Sequence, residues 1–349
     1  MITASPQTRQ PARARHEASA ALPAWQQQLA EAIEDPLELC RLLQLDPSTV
    51  LGAQLAAQGF RLRVPRGYVA RMRRGDPADP LLRQVLPQAA ELIEQVGFGS
   101  DPLAEAGCRR APGLLHKYHG RALLLTTAAC AVHCRYCFRR EYPYEEHTQS
   151  PWLTQALRVV AEDASIEEII LSGGDPLTLA TARLQRLTDR LAQIAHLRRL
   201  RLHTRTPIVL PERVDDGLCR WLAGLPWPTV LVLHANHARE LDATVQAAMR
   251  RLRSTGITLL NQSVLLAGVN DSADELVNLS DSLWQAGILP YYLHLLDPVR
   301  GTSHFQVDEQ RARELFAQLS ARLPGYLVPR LVRERAGEPA KRLIAPAAW

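Results

Sequence analysis

The sequence predicts an α/β fold: a partial (β/α)6 barrel, or an open parallel sheet of similar size, behind a helical N-terminal subdomain. Three observations carry this. Six short apolar runs recur from Arg121 onward: "RALLLTT", "EEIILSGGD", "LRRLRLHT", "TVLVLHAN", "ITLLNQS" and "PYYLHLLD". Amphipathic stretches such as "TARLQRLTDRLAQIAHL" and "DSADELVNLSDSLWQAG" separate them. Strands alternating with helices build a parallel sheet. Polar residues also recur at the same end of every run, and in parallel α/β folds that end is the mouth of the active site.

In chain order, residues 1–22 are rich in Ala, Gln, Pro and Arg, lack an apolar core, and are expected to be disordered. Residues 23–115 form the expected helical subdomain. Within it "DPLELCRLLQL" and "DPLLRQVLPQAAELIEQVG" each begin with Asp-Pro, which suits an N-cap followed by proline at the first helical position. Residues 116–325 carry the six strand–helix units. Residues 326–349 form a C-terminal segment.

The polar strand ends fall as follows. Cys130 comes after the first run, and Gly173, Gly174 and Asp175 close the second. His203 and Arg205 end the third, and His234, Asn236 and His237 the fourth. Asn261 and Gln262 end the fifth, and Asp297 follows the sixth.

Composition narrows the class. No apolar run approaches the roughly 20 residues a membrane span needs. The net charge of +5 comes from dispersed arginines with no aromatic-interleaved basic patch, so neither nucleic acid nor membrane is an expected partner. Lys117 and Lys341 are the only lysines among 41 basic residues. Both are candidates for chemistry that arginine cannot perform, such as forming a Schiff base.

Six cysteines occur: Cys40, Cys108 and Cys219 stand alone, whereas Cys130, Cys134 and Cys137 cluster in "CAVHCRYCFRR". This is not a disulfide framework; it favours a reducing cytoplasm and a metal site. Zinc held by the three thiols and His133 is one reading, although structural zinc usually draws on two separated ligand pairs. An iron–sulfur cluster is the other. Three cysteines leave one iron of a four-iron cluster open to an outside ligand.

The CxxxCxxC spacing after the first strand, with Tyr136 before the last cysteine, resembles the radical S-adenosylmethionine superfamily. The resemblance implies a [4Fe–4S] cluster on Cys130, Cys134 and Cys137 whose open iron binds S-adenosylmethionine. It also implies that "SGGDPL" brings Gly173, Gly174 and Asp175 against the methionine end of that cofactor.

Further stretches, "LLHKYHGRALLL", "HTRTPIVLP", "LLNQSVLLAGVND", "PYYLHLLDPVRGTSHF" and "GYLVP", resemble lysine 2,3-aminomutases. The similarity runs from about Trp25 to Ile344. It is strongest to the short bacterial branch that makes (R)-β-lysine for elongation factor P.

That resemblance implies pyridoxal 5′-phosphate on Lys341, with Lys117 and Arg121 at its phosphate. It implies L-lysine as substrate, with Arg139 at the carboxylate and Asp297 and Glu334 at the distal ammonium. His234 and Gln262 fall on positions near S-adenosylmethionine. Two departures stand out: Lys341 is followed by Arg342 and Leu343 where the branch has Thr-Pro, and Glu334 replaces the aspartate of the larger enzymes.

The implied partners are a flavodoxin or ferredoxin reductant, elongation factor P with its lysyl ligase, and a second copy in a homo-oligomer. Release of free β-lysine as a metabolite is the alternative. An RNA-modifying radical enzyme is a further one, but it calls for a nucleic-acid-binding appendage, and none is evident in the sequence.

Overall fold

The computed structural model describes residues 22–46, 51–144 and 152–347. The segment expected to be disordered lies, Leu22 apart, outside them. Both Asp-Pro starts form as expected. Asp35 accepts from the Leu37 amide and opens helix Pro36–Leu42, and Asp79 accepts from the Leu81 and Leu82 amides and opens Pro80–Arg83. The second helix ends far short of the expected stretch. Pro87 supplies no amide hydrogen, and the chain resumes only as a 3-10 turn, Ala89–Leu92.

Ten strands form one sheet in sequential order: β1 (Arg109–Ala111), β2 (Leu114–Tyr118), β3 (Arg121–Thr127), β4 (Glu168–Gly173), β5 (Arg199–Thr204), β6 (Thr229–Leu233), β7 (Thr258–Val264), β8 (Leu289–His294), β9 (Arg330–Arg333) and β10 (Arg342–Leu343). β3 to β9 pair in parallel, flanked by antiparallel β1–β2 on one side and β10 on the other. The sheet does not close on itself, so the fold is a partial barrel of the α/β class.

The six expected strands are β3 to β8. The seventh parallel strand, β9, is four residues long and begins and ends with arginine, so it carries no apolar-run signal. The expected boundaries at 115/116 and 325/326 fall inside β2 and inside the short helix before β9. Strands on both sides of each boundary belong to the same sheet.

Alternation along the strands sorts the two faces, since successive side chains point to opposite sides. In β5, Leu200 and Leu202 pack into the main core with Leu231, Leu233 and Leu259, beneath helices such as Thr181–Leu191 and Ala243–Arg253. Arg201 and His203, the intervening residues, face the concave side and line a cavity there. The N-terminal helices build a second core that also takes in Ala131, Val132, Val209 and Leu210. This core therefore reaches under the cysteine loop. No helix of the described residues is long and apolar enough to cross a membrane.

Candidate active site

The concave face encloses a cavity of about 740 Å³, within the usual size of a ligand site. Every site residue expected from the sequence lines it: Cys130, Cys134, Cys137, Lys117, Arg121, Arg139, Gly173, Gly174, Asp175, His234, Gln262, Asp297, Glu334 and Lys341.

The three thiols sit on the loop after β3. Backbone bonds fasten that loop to the N-terminal subdomain: the His133 amide donates to the Arg63 carbonyl at 2.9 Å, and the Arg135 amide to the Gln84 carbonyl at 2.8 Å. The Arg135 guanidinium is fully buried and donates to both oxygens of Glu91, which also accepts from Arg140 at 2.8 Å. Glu91 comes from the segment expected to be an ordinary helix; nothing in its local sequence marks it.

Burial pushes the Cys130 thiol well above its ordinary pKa and the Cys137 thiol up to about 11. The Cys137 and Cys134 charges raise Cys130 further, and Cys134 raises Cys137. Among the described residues no group of three His, Cys, Asp or Glu side chains is arranged around one metal ion. A cubane takes one thiolate per iron and does not need that convergence. Three thiols lining one cavity can give one thiolate to each of three irons, a donor set that fits a four-iron cluster.

The two glycines after β4 are required by close approach. Gly173 has φ +127°, and a Cβ there would strike the Thr127 carbonyl; one on Gly174 would strike the Ala129 carbonyl. The Gly174 amide donates to Thr127 O at 2.7 Å and the Asp175 amide to Ala129 O at 2.8 Å, tying this turn to the start of the cysteine loop. The Asp175 carboxylate is spoken for. Oδ1 accepts from Leu177 N and Thr204 Oγ1, and Oδ2 from Arg205 N and Thr206 N. Asp175 thus holds the end of β5 in place, and the glycine backbone is what remains open to a ligand.

His234 stacks on Tyr136 with ring centroids 5.6 Å apart, and its Nε2 lies 2.9 Å from the Tyr136 hydroxyl. Burial, then the Arg205 cation, lowers its pKa to about 3, so it is neutral. Gln262 faces the cavity from β7. The Arg139 fork is filled on one edge: Nε and NH2 donate to Glu105 at 2.8 and 2.6 Å. NH1 is left, 3.2 Å from the Ser172 hydroxyl. A bidentate carboxylate clamp on the filled edge would require Glu105 to move.

At the other end of the cavity the β9–β10 hairpin decides the arrangement. Arg342 pairs with Arg333, which makes Lys341 and Glu334 the next cross-strand neighbours. The Lys341 ammonium donates to Glu334 Oε2. Lys117 Nζ donates to Oε1 at 2.7 Å, and the Tyr118 hydroxyl to the same oxygen at 2.8 Å. Both lysines of the chain therefore meet on one carboxylate, whose pKa they hold well below the usual range despite its burial. Arg121 stacks over the Tyr118 ring at 4.6 Å. Arg342 and Leu343, the departure after Lys341, simply form the edge strand β10.

Asp297 has no side-chain hydrogen bond to the described residues. Burial and the nearby Glu334 charge push its pKa up to about 7. A free aspartate titrates near about 3.9. Below that pH it is protonated folded and unfolded alike; between the two values only the unfolded chain ionises, so stability falls as pH rises to about 7. Asp297→Asn should remove this pH dependence. In the ligand-free protein it should raise stability at pH 8 by up to about 4 kcal/mol and leave it unchanged near pH 4. Denaturant melts of both proteins at the two pH values check this.

Thiol loop, glycine turn and open parallel sheet define a radical SAM enzyme, and residues 124–280 match the model of the Radical SAM superfamily. The chain is 49% identical over 320 residues to the L-lysine 2,3-aminomutase of Escherichia coli (strain K12), covering 91% of this chain and 93% of that protein. It is 46% identical over 323 residues to the Haemophilus influenzae protein of the same name, covering 92% and 95%. Identity to the Clostridium subterminale enzyme is 31% over 324 residues, covering 92% and 78%. The chain belongs to the L-lysine 2,3-aminomutase family and is an isomerase. Membership implies a [4Fe–4S] cluster, S-adenosylmethionine and pyridoxal phosphate.

Proposed function

We propose that this enzyme converts L-lysine to (R)-β-lysine, with the cluster on Cys130, Cys134 and Cys137 and pyridoxal phosphate on Lys341. One observation supports the reading above all: a single cavity joins the three thiols, the only two lysines and a buried acid pair. When bound, the cluster and S-adenosylmethionine supply a hydrogen-abstracting carbon radical, and pyridoxal phosphate carries the migrating nitrogen.

The chain's own residues do the rest. A Lys341 amine committed to pyridoxal phosphate would no longer occupy Glu334 Oε2 and would leave it open to a second cation. The distal ammonium of lysine fits that role, with Asp297 as the second acceptor. An adjacent cation would lower the raised pKa of Asp297 and favour its carboxylate. Arg139 NH1 and the Ser172 hydroxyl offer donors to the substrate carboxylate, and Lys117 and Arg121 lie where a phosphate would gain two cations. Gly173 and Gly174 would present backbone to the methionine end of S-adenosylmethionine, and His234, just past β6, and Gln262 on β7 line the same cavity.

Reduction by a flavodoxin- or ferredoxin-type donor, a cytoplasmic location, a homo-oligomeric state and delivery of the product to elongation factor P through a lysyl ligase belong to the same proposal. Their support is the resemblance to the short bacterial branch and, for the location, a cysteine pattern that is not a disulfide framework. The test is anaerobic incubation of the reconstituted, reduced enzyme with L-lysine, glutamate and alanine, followed by chiral amino-acid analysis. (R)-β-lysine from lysine alone is the expected outcome. A preference for glutamate, or no β-amino acid from a fully loaded enzyme, would overturn the substrate assignment.

A further inference from the structure

Arg205, just past β5, is 6% exposed and draws together four parts of the molecule. Its NH1 donates to Cys134 Sγ at 2.8 Å and to the Tyr136 hydroxyl at 2.5 Å. Its NH2 donates to Gln84 Oε1 at 2.7 Å and Glu240 Oε2 at 2.8 Å, with the Tyr68 hydroxyl at 3.2 Å. Tyr68 and Gln84 come from the N-terminal subdomain, Cys134 and Tyr136 from the thiol loop, and Glu240 from the segment after β6. Among the described residues no other side chain donates a hydrogen bond to any of the three clustered thiols.

Burying an ion pair is costly, and apolar residues of the same volume often stabilise as well or better. The Arg205–Glu240 pair is therefore poorly explained by stability alone. Aiming a cationic N–H at one sulfur has a specific electrostatic consequence. Reducing an iron–sulfur cluster adds negative charge that spreads onto its sulfurs. A donor on sulfur stabilises the reduced form more than the oxidised form and so raises the reduction potential.

We propose that Arg205 is a positioning residue for cluster reduction: through its bond to Cys134 it raises the potential of the cluster, easing transfer of one electron from a low-potential donor protein. This rests on the reading of Cys134 as a cluster ligand. Asp175 supports the placement, because its Oδ2 accepts from the Arg205 amide at 2.7 Å and so sets where the side chain starts. Lysine could not substitute. An ammonium is a compact point charge and does not span sulfur, tyrosine and carboxylate as the planar fork does.

The test is an EPR-monitored redox titration of the reconstituted holoenzyme, wild type against Arg205→Lys, with iron and sulfide measured on the same samples. The variant is expected to hold its full iron and to show a more negative midpoint potential. A purely structural role would lower iron content and leave the potential of the remaining cluster alone. A second measurement needs no variant. Wild-type enzyme grown with guanidino-15N-arginine should show a weak 15N coupling in the pulsed EPR of the reduced cluster. Unchanged potential in an iron-replete Arg205→Lys enzyme overturns the inference, as does absence of the coupling in wild type. Should Arg205→Lys fail to fold, the coupling decides. The underlying ligand reading fails by a separate route: full iron retained in Cys134→Ala would sink it, whatever the potential of Arg205→Lys.

Discussion

Replacing Cys130, Cys134 or Cys137 by alanine is expected to abolish iron loading and turnover together, down to background. The three sulfurs share one loop, and burial with neighbouring thiolate charge makes the Cys130 and Cys137 thiolates costly on their own. Iron offsets that cost. With one thiolate missing, the cubane loses an anchor and a second iron becomes open. The loop itself should survive, because His133, Arg135 and Arg140 hold it to Arg63, Gln84 and Glu91 without help from the sulfurs. The variants should therefore fold and melt near wild type in the metal-free state. Half-exposed Cys108 and Cys219 should tolerate alanine within about 0.5 kcal/mol, and buried Cys40 should cost about 1 kcal/mol. Anaerobic reconstitution followed by iron and sulfide analysis separates the two groups. A Cys134→Ala protein with a complete cluster would remove the basis of the site.

The second large effect is expected at Lys341. Alanine there should eliminate the pyridoxyl adduct found by mass spectrometry after borohydride reduction, and turnover should fall to the detection limit. Lys341→Arg should do no better, since arginine supplies no neutral amine. The geometry makes this a demanding test, because Lys117 reaches the other oxygen of the same Glu334 carboxylate. An adduct on Lys117 would reverse the roles of the two lysines. Loss of the Lys341 ammonium also leaves Glu334 with Lys117 and Tyr118 alone, so its carboxyl should titrate at higher pH than in wild type. NMR titration of the ligand-free variant would read that rise.

Much of this was legible in the chain because it is local. Six β-rich runs alternating with amphipathic stretches specify β3 to β8, since each run carries enough apolar residues to mark itself. The CxxxCxxC spacing and the Gly-Gly turn are contiguous, and the two lysines stand out by rarity. The early stop of the Asp79–Pro80 helix was also in view, at Pro87, although the apolar periodicity beyond it argued the other way.

What no stretch of sequence contained is how distant charges pair, because in the folded protein a buried ion must find its counter-ion wherever topology brings one. Glu105 reaches Arg139 across 34 positions, Glu91 reaches Arg135 across 44, and Glu240 reaches Arg205 across 35. None of these three acids carries a motif. The resemblance implied Glu334 as a substrate contact, but no local stretch showed that the β9–β10 hairpin and β2 set it between Lys341 and Lys117. The residue types and the strands were written locally. The raised pKa of Asp297, the filled edge of Arg139 and the N–H aimed at Cys134 were decided only when the sheet curved and excluded water, since burial is what makes each of those charges need a partner.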